Sequence, residues 1–117
     1  EIIDYCLRSG IDGIVAGNTT RSRDGLTSIS KEKIEEIGNG GMSGAPVHKK
    51  NLELVRYVHT KSDGKLPIIG VGGIMSPEQA KDMLDAGASL VEIYSGFIYE
   101  GPSLVKRILK YLEQIGK

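Results

Sequence analysis

Three short apolar runs, at residues 11–17, 66–73 and 88–94, each lead into a glycine and alternate with segments of helical period. Strands that alternate with helices pair in parallel through right-handed crossovers, so the sequence predicts an α/β fold. Glycine supports this: there are 16 in 117 residues, about twice the usual 7%, and they cluster where the runs end. The predicted order is α-β-loop-α-β-α-β-α. Three strands cannot close a barrel, and an open doubly wound sheet would have more of them. A (β/α)₈ barrel takes about 250 residues. Residues 1–117 are therefore expected to form the C-terminal portion of such a barrel, a half-barrel of three parallel strands with flanking helices.

The chain starts with Ile2, Ile3, Cys6 and Leu7 at helical spacing, and Gly10 supplies a C-cap. Residues 11–17 then read as a buried strand ending at Asn18-Thr19-Thr20. Residues 21–46 are irregular apart from a short helical turn from Lys31 to Ile37, and residues 38–44 hold four glycines in seven positions. A loop of that length in a compact domain usually carries function or is disordered. From about His48 to Lys61, the residues Leu52, Val55, Tyr57, Val58 and His59 mark a helix, which Asp63-Gly64 ends. Residues 66–73 form the second strand. Ser76-Pro77-Glu78-Gln79 is a strong helix start, with Ser at the N-cap, Pro at the first helical position and Gln three residues after the cap. Ala80, Met83 and Leu84 are its expected buried face, and Gly87 closes it. The third strand runs to Tyr94, a further turn covers residues 95–100, and Gly101-Pro102 opens a last helix with Val105, Ile108, Leu109, Leu112 and Ile115 at helical spacing.

Fifteen basic and 15 acidic side chains leave no net charge, which argues against a surface that tracks nucleic-acid phosphates. One Phe and no Trp argue against base stacking. No apolar stretch approaches the roughly 20 residues that span a bilayer, and Glu1-Ile2-Ile3-Asp4 lacks the basic start of a signal peptide, so this segment is expected to be soluble. Cys6 is the only cysteine and is expected in the core. His48 and His59 have no Cys or carboxylate at ligand spacing and are expected to be structural or surface residues, with no metal site.

In parallel α/β folds, function collects at the C-terminal ends of the strands, and barrels commonly bind phosphate between the loops after their last two strands. Gly72 and Gly73 can bring backbone amides close to a phosphate, Ser95 can add a hydroxyl, and Gly96-Phe97 can begin a short helix that favours the anion. The same glycines could instead simply make tight turns, but two matched loops in adjacent units favour phosphate. Asn18-Thr19-Thr20 offers an amide and two hydroxyls for the edge of a planar ligand. A local Asx or Ser/Thr turn is the alternative. Glu92 interrupts the third strand and faces either the barrel interior or the helices.

In this order, Asn18-Thr19-Thr20, residues 40–44 (GGMSG), residues 67–74 (PIIGVGGI), residues 86–91 (AGASLV) and residues 94–102 (YSGFIYEGP) resemble dihydroorotate dehydrogenase. The last motif is most similar to the quinone-linked, membrane-associated class. The resemblance covers residues from about 10 to 112. It implies a barrel holding FMN at its strand ends, with Gly73, Tyr94 and Ser95 at the phosphate next to the Gly72 already expected to bind the cofactor, Gly44 near the flavin, Gly17 beside it, and Asn18 and Thr19 on the orotate ring. The family often has Thr where Gly17 stands, so only a backbone contact is expected there.

The implied activity is oxidation of dihydroorotate to orotate in pyrimidine biosynthesis, with electrons passed to quinone at the cytoplasmic face of a bacterial inner membrane. In that class a serine base takes the proton while hydride goes to the flavin. That serine, a flavin-contacting lysine, further substrate asparagines and the quinone-site helices match no residue here. No catalytic residue is therefore assigned, and this chain alone is expected to be inactive. The rival expectations are a phosphate-binding half-barrel of another FMN or sugar-phosphate enzyme, and a non-catalytic piece that self-associates through its open sheet edges.

Overall fold

A computed structural model describes all residues, 1–117. The elements are α1 (Ile2–Ser9), β1 (Ile14–Ala16), α2 (Lys31–Ile37), α3 (His48–Lys61), β2 (Ile68–Val71), α4 (Pro77–Asp85), β3 (Leu90–Glu92), α5 (Ser95–Glu100) and α6 (Ser103–Gln114). A single 3₁₀ turn at Ala45–Val47 leads into α3. The sheet has the order β1-β2-β3, with both pairs parallel. It is a three-stranded parallel sheet with flanking helices, as the alternating pattern predicts.

The pleat divides the sheet into two faces. Ile14 and Ile68 are in register, as are Ala16, Gly70 and Val91, and this face meets the helices. Ile68, Val55, Met83 and Ala80 are fully buried there, and Leu66, Val58, Leu104 and Ile108 extend the same core. The other face carries the in-register row Val15, Ile69 and Leu90. Val15 is 57% exposed and Leu90 62%, so no layer of this chain covers it.

Local signals set several boundaries as expected. Gly10 ends α1 in the left-handed conformation, at φ 73°. Ser76 caps α4 by accepting from the Gln79 amide at 3.3 Å, and Gln79 Oε1 returns the bond by accepting from Met75 N at 2.8 Å. Cys6 is buried. The strands are shorter than the apolar runs, because pairing stops at residues 14–16, 68–71 and 90–92.

Three helix faces differ from expectation. On α6 the deeply buried residues are Leu104 and Ile108, while Val105, Leu109 and Ile115 are exposed. Helix α6 packs mainly on α4, and that contact, not the widest apolar stripe, sets its rotation. On α3, Tyr57 points outward and Asn51 is buried with Val55 and Val58. On α1, Ile2 and Leu7 are exposed, leaving Cys6 as the one buried side chain.

Candidate functional site

The three strand exits and the glycine-rich loop converge on one cavity of about 350 Å³. Gly17, Asn18 and Thr19 line it from the end of β1, and Val71, Gly72 and Gly73 from the end of β2. Glu92, Tyr94, Ser95 and Gly96 line it from β3 and α5, and Ser43 and Gly44 from the loop before α3. All eight residues singled out from the sequence therefore meet at one place. Ser43 joins them and Thr20 does not.

Gly73 has φ 72°, and a Cβ there would lie 2.6 Å from His48 N and 2.7 Å from Gly44 O. Only glycine fits this left-handed, crowded position. The backbone after β2 thereby lies against the glycine-rich loop, and the Gly73 amide has no acceptor in the chain. Phe97 N and Ile98 N both bond back to Tyr94 O, at 3.1 and 3.3 Å, so the Ser95 and Gly96 amides also lack an acceptor. Ser95 Oγ donates to Ser43 Oγ at 3.0 Å, tying the glycine-rich loop to the start of α5. Gly73, Ser95 and Gly96, whose amides are unpaired, line one cavity, forming a cradle of donors suited to an anion's oxygens.

Gly17 adopts φ 136°, and a side chain there would overlap the Val71 carbonyl. No residue larger than glycine fits this strand exit, so any contact from position 17 is through its backbone.

Asn18 Oδ1 accepts from Thr19 N at 2.8 Å, the local turn weighed against a ligand role. That bond uses only the oxygen. The Asn18 Nδ2 amide makes no hydrogen bond within the chain, and both Asn18 and Thr19 are exposed to the cavity side. Thr20 is buried and is drawn into the scaffold. It exchanges two backbone bonds with Met42, at 3.0 and 2.7 Å, and its hydroxyl accepts from Ser22 N at 3.2 Å. Arg23 adds a strap across the same loop, donating to Thr20 O at 3.3 Å, Gly38 O at 3.2 Å and Gly40 O. The long loop is thus pinned at both sides of its glycine cluster. Sequence alone does not single out Arg23, because Arg21 stands two residues away and only the fold shows which guanidinium meets the loop carbonyls.

Glu92 faces the cavity, since Val91 and Ile93 on either side of it pack against the helix-side core. His48 lies under the cradle with both ring nitrogens shielded from solvent and without a partner. No group of three or more His, Cys, Asp or Glu is placed to hold a metal ion. A larger cavity, about 500 Å³, lies between α2 and the glycine-rich loop. Its lining includes the apolar Leu26, Ile29, Ile34, Ile37 and Met75, and it shares Ser43 and Gly44 with the strand-end cavity.

Comparison with known proteins points one way. The family described as "Dihydroorotate dehydrogenase" matches residues 1–115. Dihydroorotate dehydrogenase (quinone) of Salinispora arenicola is 48% identical over 106 residues, covering 91% of this chain and 31% of that protein. The protein of the same name from Christiangramia forsetii is 48% identical over 108 residues, covering 92% of this chain and 30% of that one. Among solved structures, ligand-free DHODH from Eimeria tenella superposes with a TM-score of 0.83 at 34% identity, over 98% of this chain and 32% of that chain. The chain thus spans about 30% of the length of these relatives.

Proposed function

The chain belongs to the dihydroorotate dehydrogenase family, and from that membership we propose that it forms the phosphate and orotate side of an FMN-dependent active site. In this reading residues 1–117 are the C-terminal half-barrel unit of an enzyme that oxidises dihydroorotate to orotate and passes the electrons to quinone. The whole enzyme would work at the cytoplasmic face of a bacterial inner membrane. No helix of this chain is long and apolar enough to cross one.

The observation that carries the reading is the convergence of Asn18, Thr19, Gly44, Gly73, Tyr94 and Ser95 on one cavity. The donor set suits FMN. The Gly73, Ser95 and Gly96 amides, free of internal acceptors, would hold the phosphate, and the Ser95 hydroxyl joins them when its one proton turns from Ser43 Oγ to the anion. Tyr94 and Gly72 flank it, and the backbones of Gly17 and Gly44 border the room for the ring system. When bound, FMN supplies the two-electron acceptor that the side chains of this chain cannot provide.

The chain's own contribution is binding and orientation. The free Nδ2 of Asn18 donates to an acceptor on the substrate edge, and the Thr19 hydroxyl can donate or accept beside it. Ser43 and Ser95 are given no proton-transfer role, because their hydroxyls bond to each other at 3.0 Å and neither bonds to a carboxylate or imidazole. Positioned donors without a base bind a substrate but do not turn it over.

The test is a visible spectrum of the complete gene product that contains this sequence, followed by FMN and then orotate titration. The expected result is bound flavin whose absorption shifts when orotate is added. Absence of flavin binding at high FMN concentration would overturn the cofactor assignment. Flavin binding with no response to orotate would overturn the substrate assignment and favour another flavin-dependent barrel.

A further inference from the structure

Asn51 belongs to none of the motifs above, yet the structure places it where the first two strand exits meet. It sits in the first turn of α3 and is only 2% exposed. Its Nδ2 donates to Asn18 O at 2.9 Å, and its Oδ1 accepts from Asn18 N at 3.2 Å. One carboxamide thus satisfies both backbone groups of a single residue. The pairing is directional: turning the amide over would set donor against donor and acceptor against acceptor.

Asn18 has just left β1, so its N–H and C=O have no strand partner. A backbone group shielded from water without a partner is costly, and the buried Asn51 supplies a partner to both Asn18 groups in these part-buried bonds. The same Nδ2 lies against Gly72, where a Cβ would overlap it. One side chain therefore touches the exit of β1 and the exit of β2 together.

We infer that Asn51 is a positioning residue: it fixes the main chain of Asn18 so that the unbonded Asn18 Nδ2 and the Thr19 hydroxyl beside it are aimed at the substrate. The inference rests on the reading of Asn18 and Thr19 given under the proposed function. Asn51 touches neither substrate nor cofactor in this account. It acts through the orientation of Asn18, and it marks the ligand edge as one that presents hydrogen-bond acceptors to an Asn amide.

The test compares Asn51→Ala and Asn51→Asp with the unaltered complete gene product. Asp keeps nearly the same volume and the acceptor for Asn18 N, but opposes Asn18 O with a second acceptor. Three quantities are read: orotate affinity by flavin absorbance, FMN affinity, and amide hydrogen exchange across residues 17–20 without ligand. Both variants are expected to bind orotate about tenfold more weakly, because Ala loses both bonds to Asn18 and Asp trades one of them for a repulsion between acceptors, with faster exchange across residues 18 and 19 that is larger in Asn51→Ala. FMN affinity should stay within about threefold. In turnover, KM for dihydroorotate should rise about tenfold while kcat changes less than about threefold.

If Asn51→Asp binds orotate as the unaltered protein does, the bonds to Asn18 do not matter and the inference fails. If both variants lose FMN and orotate in parallel, Asn51 is a general scaffold residue and the inference also fails. An unaltered protein that binds no orotate refutes the substrate reading itself. The ligand-free exchange measurement then still shows whether Asn51 holds Asn18, and unchanged exchange overturns that point as well.

Discussion

Gly73 shows how much a single position decides. Its left-handed φ of 72° and its closeness to His48 N and Gly44 O leave no space for a methyl group. Gly73→Ala should cost about 1–3 kcal/mol of stability, the usual range for a non-glycine residue forced into strained backbone. It should also push the glycine-rich loop off the cradle and weaken FMN binding by at least about tenfold. Gly40→Ala is the control, because nothing lies within 4 Å of a Cβ there and its φ is not left-handed. Urea unfolding and FMN titration of the two variants check both parts, and equal behaviour would remove the special role given to Gly73. At this scale the sequence was informative about glycines and silent about partners. That Gly72, Gly73 and Ser95 share a cavity was legible from strand ends alone. That Asn51 bonds Asn18 across 33 residues, or that Arg23 spans 17 residues to Gly40, was not. Such pairs depend on how helix and loop are docked, and no local pattern encodes the docking.

Among the elements, α4 was the most readable and α6 the least. Helix α4 carries its own instructions in Ser76, Pro77 and Gln79. Ser76→Ala removes the acceptor for the Gln79 amide and should lower stability by about 1 kcal/mol, the typical value of an N-cap side chain, measurable as a shifted urea midpoint. Helix α6 has apolar residues on more than one face, so its period leaves the rotation open, and packing on α4 selects Leu104 and Ile108. The end of α4 adds an electrostatic tie. Asp85 accepts from Lys81 one turn earlier and from Lys117 beyond α6. The hydrogen bond from Lys117, then that from Lys81, hold its carboxyl below the usual carboxylate range. A carboxylate whose folded value is depressed stabilises the fold above its unfolded value, near pH 3.9. That contribution is lost as pH falls through the lower folded value. Asp85→Asn should therefore be less stable than the unaltered chain at pH 7, with a gap that narrows at a second, acid pH as the folded Asp85 carboxyl takes up its proton. Thermal unfolding at the two pH values checks the sign, and a difference that persists undiminished in acid would mean the effect is not ionic.

The molecule as a whole is a slab. Its extents are 46 × 38 × 18 Å and its radius of gyration is 15.7 Å, where a compact chain of this length would give about 13 Å. The thin dimension follows from the sheet having helices on one face only. On the other face Val15, Ile69 and Leu90 form an apolar row across all three strands, and β1 and β3 are both edge strands. Unpaired edges beside an open apolar face favour pairing with another chain. Residues 1–117, prepared alone, should therefore self-associate at micromolar concentration, giving a light-scattering mass of at least two chains. A charge on the bare face should oppose this, because it would have to be buried unpaired in the contact. Val15→Glu with Leu90→Glu is expected to shift the population toward monomer, and the helix-side core, which neither residue touches, should keep its far-ultraviolet dichroism. Ser76→Ala, on the opposite side of the sheet, should leave the association unchanged. A monodisperse monomer of the unaltered chain would overturn this expectation and show that the open face is tolerated in water.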